Sequence, residues 1–360
     1  MRTIFIPLFL AIYCFSGSQD VLGQAFIFNQ FFQPSIRLNV EVNPDGVISK
    51  NPAQQLAYNR ANLNLILPIK SKLGVKVDVI EAIDKLRNLR KLRLKDVGDV
   101  ARVKMYQIFW NIRPQTALIN YQTTADTSVG ANLEQTGNRQ LFGLSTGITG
   151  LHLIKRMRIL FYSANVGFLE DKNTLRKLQP NFTGLIGAAH LNRVIFVWYY
   201  GAYISYSNGR FIPAPFFGIE ANLMEKLWLN ITLPVQMRLG WSFTKKTKLD
   251  FVVGLAGYGG GFGYQNPNST DWQRGVFNTL QARTSLVFNW KLNRQTKMYL
   301  EFGALPFRQL SVRMPYPIPT GVTAQKGSAN QSMTVYGGFS LFYAFQKSLL
   351  SSVVDGLISF

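Results

Sequence analysis

The sequence predicts an all-β fold: a closed antiparallel transmembrane β-barrel of about sixteen strands, with fourteen as the alternative count. Three observations carry that prediction. Apolar and polar residues alternate with a period of two almost from end to end, the signature of strands with one dry and one wet face. Hydrophobic residues make up 47% of the chain and charged residues 16%, against roughly 25% charged in ordinary soluble domains. Yet no segment beyond the leader approaches the ~20 apolar residues of a membrane-spanning helix. Finally, turn signals alternate between short and long connections, as in barrels with short periplasmic turns and longer external loops.

The elements follow in chain order. Residues 1–23 read as a signal peptide: a charged start at Arg2, an apolar run over 4–15, and Val21-Leu22-Gly23 before the cut. The only cysteine is Cys14, preceded by Tyr13 where a lipoprotein signal needs a small residue. A mature chain starting at Gln24 therefore has no disulfide, thiol nucleophile or thiolate metal site. Residues 24–345 are assigned to the barrel. Ile36, Leu38, Val40 and Val42 alternate with Arg37, Asn39 and Glu41, and Leu63, Leu65, Leu67 and Ile69 oppose Asn62, Asn64 and Lys70. Later, Leu280, Ala282, Leu286, Phe288 and Trp290 oppose Thr279, Gln281, Arg283, Ser285 and Asn289. Short turns are expected at 70–72, 113–115, 155–156, 191–193, 224–226, 244–248 and 292–296. External connections are expected at 43–56, 81–99, 124–140, 170–180, 207–210, 264–273 and 312–330. Pro234 cannot donate to a central ladder, so it splits 227–243 into two strands. Phe339, Leu341, Tyr343 and Phe345 form an aromatic closing strand, and 346–360 is a C-terminal tail.

Tryptophan supports the scheme. Trp110, Trp198, Trp228, Trp241 and Trp290 each fall close to a turn assigned to the periplasm, and only Trp272 lies in an external loop. That distribution reads as an interfacial aromatic girdle.

The net charge is +21. Basic excess of this size first suggests nucleic acid, but a leader and a strand pattern point instead to anionic lipid. Lys85, Arg87, Arg90, Lys91, Arg93 and Lys95 are interleaved with Ile80, Ile83, Leu86, Leu89 and Leu92 at a helical spacing. In the scheme above this short amphipathic helix lies outside, against lipopolysaccharide phosphates. The alternative folds it into the lumen as a constriction. The expected lumen lining is Arg37, Lys76, Arg102, Lys104, Arg238 and Arg283 against Glu41, Asp78, Glu220, Asp250 and Glu301. That set is nearly balanced, so the surplus positive charge sits in turns and loops and does not by itself predict an anion-selective pore.

The leader, the alternating strands, the aromatic closing strand and two runs carry a resemblance. The runs are Pro213-Ala214-Pro215-Phe216-Phe217-Gly218-Ile219 and Leu229-Asn230-Ile231-Thr232-Leu233-Pro234. Together they resemble the outer-membrane β-barrel families, themselves uncharacterised, common in Bacteroidota. The resemblance covers most of 25–345 and implies a fold and a compartment, without a substrate. Tyr206-Ser207-Asn208-Gly209-Arg210 is similar to the serine segment of the outer-membrane phospholipase family, where a histidine two residues earlier activates the serine. Here that position is Ser205, which cannot serve as a base, so Ser-Asn-Gly reads as a turn. His152 and His190 have no Asp, Glu or Cys at ligand spacing and read as interfacial or lumen residues. The glycines of 257–263 lack the following helix and Lys-Ser/Thr pair of a phosphate cradle, so they suggest close strand packing.

Three functions follow as expectations. The first is a passive channel or transporter for small solutes. The second is a closed accessory or scaffold barrel that binds lipopolysaccharide or an envelope partner. The third is a phospholipase-like enzyme, which the missing histidine argues against. The partners implied are outer-membrane lipids and the barrel assembly machinery, with no nucleic acid and no cofactor.

Overall fold

The computed structural model describes residues 33–44, 54–77, 101–123, 138–154, 158–193, 196–207, 210–265, 272–293, 295–314, 325–330 and 333–345. The expected signal peptide at 1–23, the basic segment at 85–95 and the expected C-terminal tail at 346–360 lie outside the described residues.

Sixteen strands form one sheet: β1 (Ser35–Asn43), β2 (Gln54–Val77), β3 (Ala101–Thr123), β4 (Arg139–Ile154), β5 (Arg158–Asp171), β6 (Asn181–Arg193), β7 (Phe196–Ser207), β8 (Arg210–Asn222), β9 (Leu227–Leu233), β10 (Gln236–Ser242), β11 (Thr247–Ala256), β12 (Gly259–Gln265), β13 (Trp272–Lys291), β14 (Thr296–Met314), β15 (Gln325–Asn330) and β16 (Thr334–Ala344). Fourteen of them close the ring, every pair in it antiparallel, and β1 meets β16 from Ser35–Ala344 to Val42–Gly337. The other two continue a wall strand after a break. β12 takes up the edge of β13 beyond β11, and β15 takes up the edge of β14 beyond β16.

Of the two counts expected, the wall has fourteen strands, and the reason is local. Lys70–Lys72 and Arg113-Pro114-Gln115 are not turns. The β2–β3 ladder runs from Gln54–Thr123 to Val77–Ala101, and Pro68 is absorbed by a register shift between Pro68 and Lys70. Pro114 pairs in register with Leu144. Pro234 does end a strand, since β9 stops at Leu233 and β10 starts at Gln236.

Losing those two turns keeps the strand number even but moves one connection. Val77 and Ala101, which flank 78–100, stand at the end of the barrel that carries the short β8–β9, β10–β11 and β13–β14 turns. The β2–β3 hairpin overshoots there. Its ladder continues to Ala101, whereas the β3–β4 ladder stops at Met105–Leu153.

The period of two recurs around the wall, interrupted at the register shifts of β2 and β13. Leu38, Val40 and Val42 are exposed on the outer face, while Ser35, Glu41 and Asn43 are buried inside. Ile148, Phe182, Ile186, Ile204, Phe251, Leu286 and Phe302 continue the exposed apolar belt around the ring. An apolar surface this continuous belongs against lipid. Near the short turns the belt becomes aromatic. Trp110, Tyr200, Trp241, Trp290 and Tyr343 are exposed there, and Trp198 stacks on Tyr200. Trp228 departs from the girdle: its indole lies over Gly240, between that glycine and Asp250, on the inner face.

The two ends of the wall differ in height. β8 has thirteen residues and β9 seven, so the β8–β9 ladder covers only Phe217–Asn222. Above it the edge of β8 has no β9 partner among the described residues. Pro213 and Pro215 sit on that stretch, two residues apart, so both missing N–H donors fall on one edge while pairing with β7 continues past them.

Candidate functional site

The interior divides into two kinds of surface. On the β3–β8 side, Met105, Phe109, Leu151, Ile159, Phe161, Leu185, Tyr199, Tyr203 and Phe216 pack into a dry cluster closed by Val235 from the β9–β10 turn. At the long-loop end a second cluster gathers Tyr58, Ile119, Leu141, Leu169, Phe277 and Leu310 around Tyr258, Phe262 and Tyr264. Of these last three, Phe262 and Tyr264 belong to β12.

β12 closes that end by crossing from β13 to β5, with Gly261 opposite Glu170. Two buried ion pairs stand against it, one joining β13 to β5 and the other β4 to β5. Arg274 binds Glu170 at 2.5 Å, with side chains 3% and 1% exposed, and Arg139 binds Asp171 at 2.6 Å. Asp171 Oδ2 also accepts the N–H of Gly263 at 2.8 Å, and the Arg139 guanidinium lies over the Phe262 ring. A Cβ at Gly261 would collide with the Glu170 carboxylate and the Arg274 guanidinium. The glycine run is thus a close-approach strand, as its lack of a phosphate-loop pattern suggested.

The rest of the described interior holds a third apolar cluster, Val252, Val287, Tyr299, Phe342 and Ala344, and beside it a polar surface. A cavity of about 140 Å³ is lined by residues of β1, β2, β10, β11, β13, β14 and β16, including Arg37, Glu41, Arg60, Arg238, Arg283 and Glu301. Strand register builds its charge network. Arg60, Glu41, Gly338 and Glu301 occupy one row across β2, β1, β16 and β14. Arg60 donates to Glu41 Oε2 at 2.8 Å. Arg283, reaching in from β13, bridges Glu41 at 3.4 Å and Glu301 at 2.9 Å. Ser285 and Tyr336 both donate to Glu301 Oε1, and Tyr58 donates to Glu41 Oε1 at 2.9 Å. One row lower, Ser340 donates to Asn39 and Asn39 to Asn62. Carboxylates that would be costly to bury alone are thereby fully engaged.

Five of the eleven lumen-lining candidates read from the sequence, Arg37, Glu41, Arg238, Arg283 and Glu301, come together on this cavity. Glu220 lies near Arg238 and hydrogen-bonds Asn230, below the cavity. Arg102 and Lys104 stand in the part of the β2–β3 ladder that overshoots β4, and their side chains are outside the described residues. Lys85, Arg87, Arg90, Lys91, Arg93 and Lys95 are outside them altogether. Sequence reasoning missed Arg60 and Arg113. Arg60 could have been found, because it continues the row of Tyr58, Asn62 and Asn64. Arg113 was hidden by being read as part of a turn.

Ser205 and Ser207 are buried on the inner face. His190 stacks on Trp198 at 4.1 Å, on the face that carries exposed Ile186 and Tyr200. His152 lies between Tyr106 and Tyr162 in the same kind of outward stack. Both histidines therefore belong to the aromatic belt and stand across the sheet from the serines.

In the comparisons with solved structures, the chain is similar to the COG4313 outer membrane channel from Pseudomonas putida F1, at 8% identity over 89% of this chain and 98% of that one, with a TM-score of 0.40. It is also similar to the transport unit of the autotransporter AIDA-I from Escherichia coli, at 11% identity over 91% and 96% of the two chains, with a TM-score of 0.29. The TodX monoaromatic hydrocarbon channel aligns at 7% identity over 87% and 90%, with a TM-score of 0.28. No curated protein matches in sequence. Residues 125–314 match the family model described as a domain of unknown function, DUF6268, and with more than half of its length inside that match the chain belongs to the family.

Proposed function

We propose that the protein is an integral outer-membrane barrel, exported by its signal peptide, that passes small solutes along the polar side of its lumen. The observation that supports this most is the one-sided interior. A barrel serving only as a scaffold gains nothing from collecting charged side chains of five strands around a cavity, because each buried charge carries a desolvation cost. A general diffusion pore needs an open lumen, and among the described residues three apolar clusters pack into it. A narrow, selective path fits both facts. At ~30 Å³ per water, the cavity has room for about four or five water molecules, which suits solutes of a few heavy atoms. The resemblance to Bacteroidota barrels supports the compartment, and the alternating aromatic face of β16 suits recognition by assembly machinery.

With the short turns in the periplasm, the flanks of the basic segment fall at the periplasmic rim. The second reading, a closed accessory barrel, is favoured by the apolar cluster around β12. Swelling of liposomes that contain the refolded protein decides between them. Uptake of the smallest amino acids and carboxylates with exclusion of disaccharides supports the path. Uptake of disaccharides would return the lumen to a general pore, and no swelling by any solute would leave the closed barrel.

A further inference from the structure

The charge of the polar side is not evenly spread. Around the cavity, Arg60 and Arg283 are matched by Glu41 and Glu301. Toward the short-turn end the balance is lost. Arg37 lies within electrostatic reach of Arg238 and Arg113, and Lys297, seated over the inward ring of Phe342, is within reach of Arg37, Lys248 and Lys291. The carboxylates that face this group from neighbouring strands are Glu220 and Asp250, with Glu301 above. Asp250 is 3.9 Å from Arg238, a loose pair, and Arg238 Nε is buried with no hydrogen-bond partner among the described residues. Among the described residues, basic groups therefore form a track from the short-turn end to the cavity floor, beside the apolar cluster of Val252, Val287, Tyr299, Phe342 and Ala344, and outnumber the acids along it.

We propose that this track and cavity form an anion path, and that the solute is a small soluble oxyanion of the carboxylate or phosphate class. The proposal rests on the channel reading above and adds its substrate class. The physical case has three parts. Excess charge of one sign in a narrow, low-dielectric passage concentrates counter-ions and repels co-ions. Guanidinium groups present paired donors that match the oxygens of a carboxylate or phosphate. The network of Glu41 and Glu301 then caps the track at the cavity, so the field that draws an anion in is balanced where it must leave again. The balance read from the sequence differs because it left out Arg60, Arg113, Lys248, Lys291 and Lys297.

The test is the reversal potential of the refolded protein in planar bilayers under a potassium chloride gradient, with potassium phosphate and potassium acetate as further probes. The wild type is expected to prefer anions. In the double variant Arg37→Gln/Arg238→Gln the anion-to-cation permeability ratio is expected to fall by about threefold, while Lys245→Gln on an exposed short turn leaves it unchanged. Heat-modifiable gel migration checks that each variant is folded, and Arg238→Lys, which keeps the charge, should retain the preference. A cation-selective or unselective wild type would overturn the proposal and leave the channel reading standing, as would a double variant that is folded and unaltered. Folded protein that carries no current overturns both.

Discussion

At the scale of single residues, Glu41 carries the most. Its carboxylate receives Arg60, Arg283 and the hydroxyl of Tyr58, and its side chain is 11% exposed. Removing it leaves two guanidinium groups facing each other across a space that only a few waters can fill. Breaking one partner out of a buried pair costs about 3–5 kcal/mol in a dry interior. Contact with the cavity reduces this, so Glu41→Ala is expected to destabilise the folded barrel by about 2 kcal/mol. Urea titration in lipid vesicles, read by tryptophan fluorescence, measures it. A change below about 0.5 kcal/mol, the ordinary range for a surface substitution, would mean that the row of Arg60, Glu41 and Glu301 does not hold the wall strands in register.

At the scale of elements, β12 is the part whose role is least conventional, since it pairs with β13 on one edge and touches β5 across the lumen. Glu170→Gln keeps the shape of the latch but removes the charge that holds Arg274. If that weakens the seat of β12 by about 1.4 kcal/mol, exposure of the strand rises about tenfold. Because a mature chain starting at Gln24 has no cysteine, Phe262→Cys can report on this. Its labelling by a membrane-impermeant maleimide should be slow alone and about tenfold faster with Glu170→Gln. Equal rates would mean that the ion pair does not fasten the plug. The strands themselves were legible in the sequence because a wall strand must show lipid on one side and lumen on the other. The Leu38–Val42 and Leu286–Trp290 alternations could be read directly for that reason. The misreadings at Lys70–Lys72 and at Pro114 have a common cause: polar residues and proline inside a long strand look like a turn when the neighbouring strand is unknown. The cavity could be read where alternation was intact, at Arg37, Glu41 and Glu301. It could not show which of those side chains meet, since the bridge of Arg283 from β13 to Glu41 on β1 depends on how the ring closes. The latch was invisible because Glu170 and Arg274 meet only after β12 has folded across.

At the scale of the whole molecule, the account holds that a fourteen-strand ring is mostly filled and that a narrow polar side is left for transport. The wall, the apolar clusters and the cavity follow from one arrangement. β9 and β10 stop short, the β9–β10 turn puts Val235 into the first cluster, and β12 seals the long-loop end. The measurement that tests this most directly is the single-channel conductance of refolded protein in planar bilayers. The account predicts discrete steps far smaller than those of an open porin, growing when Glu170→Gln loosens β12. Porin-sized steps from the wild type, or silence from protein shown to be folded by heat-modifiable migration, would contradict it.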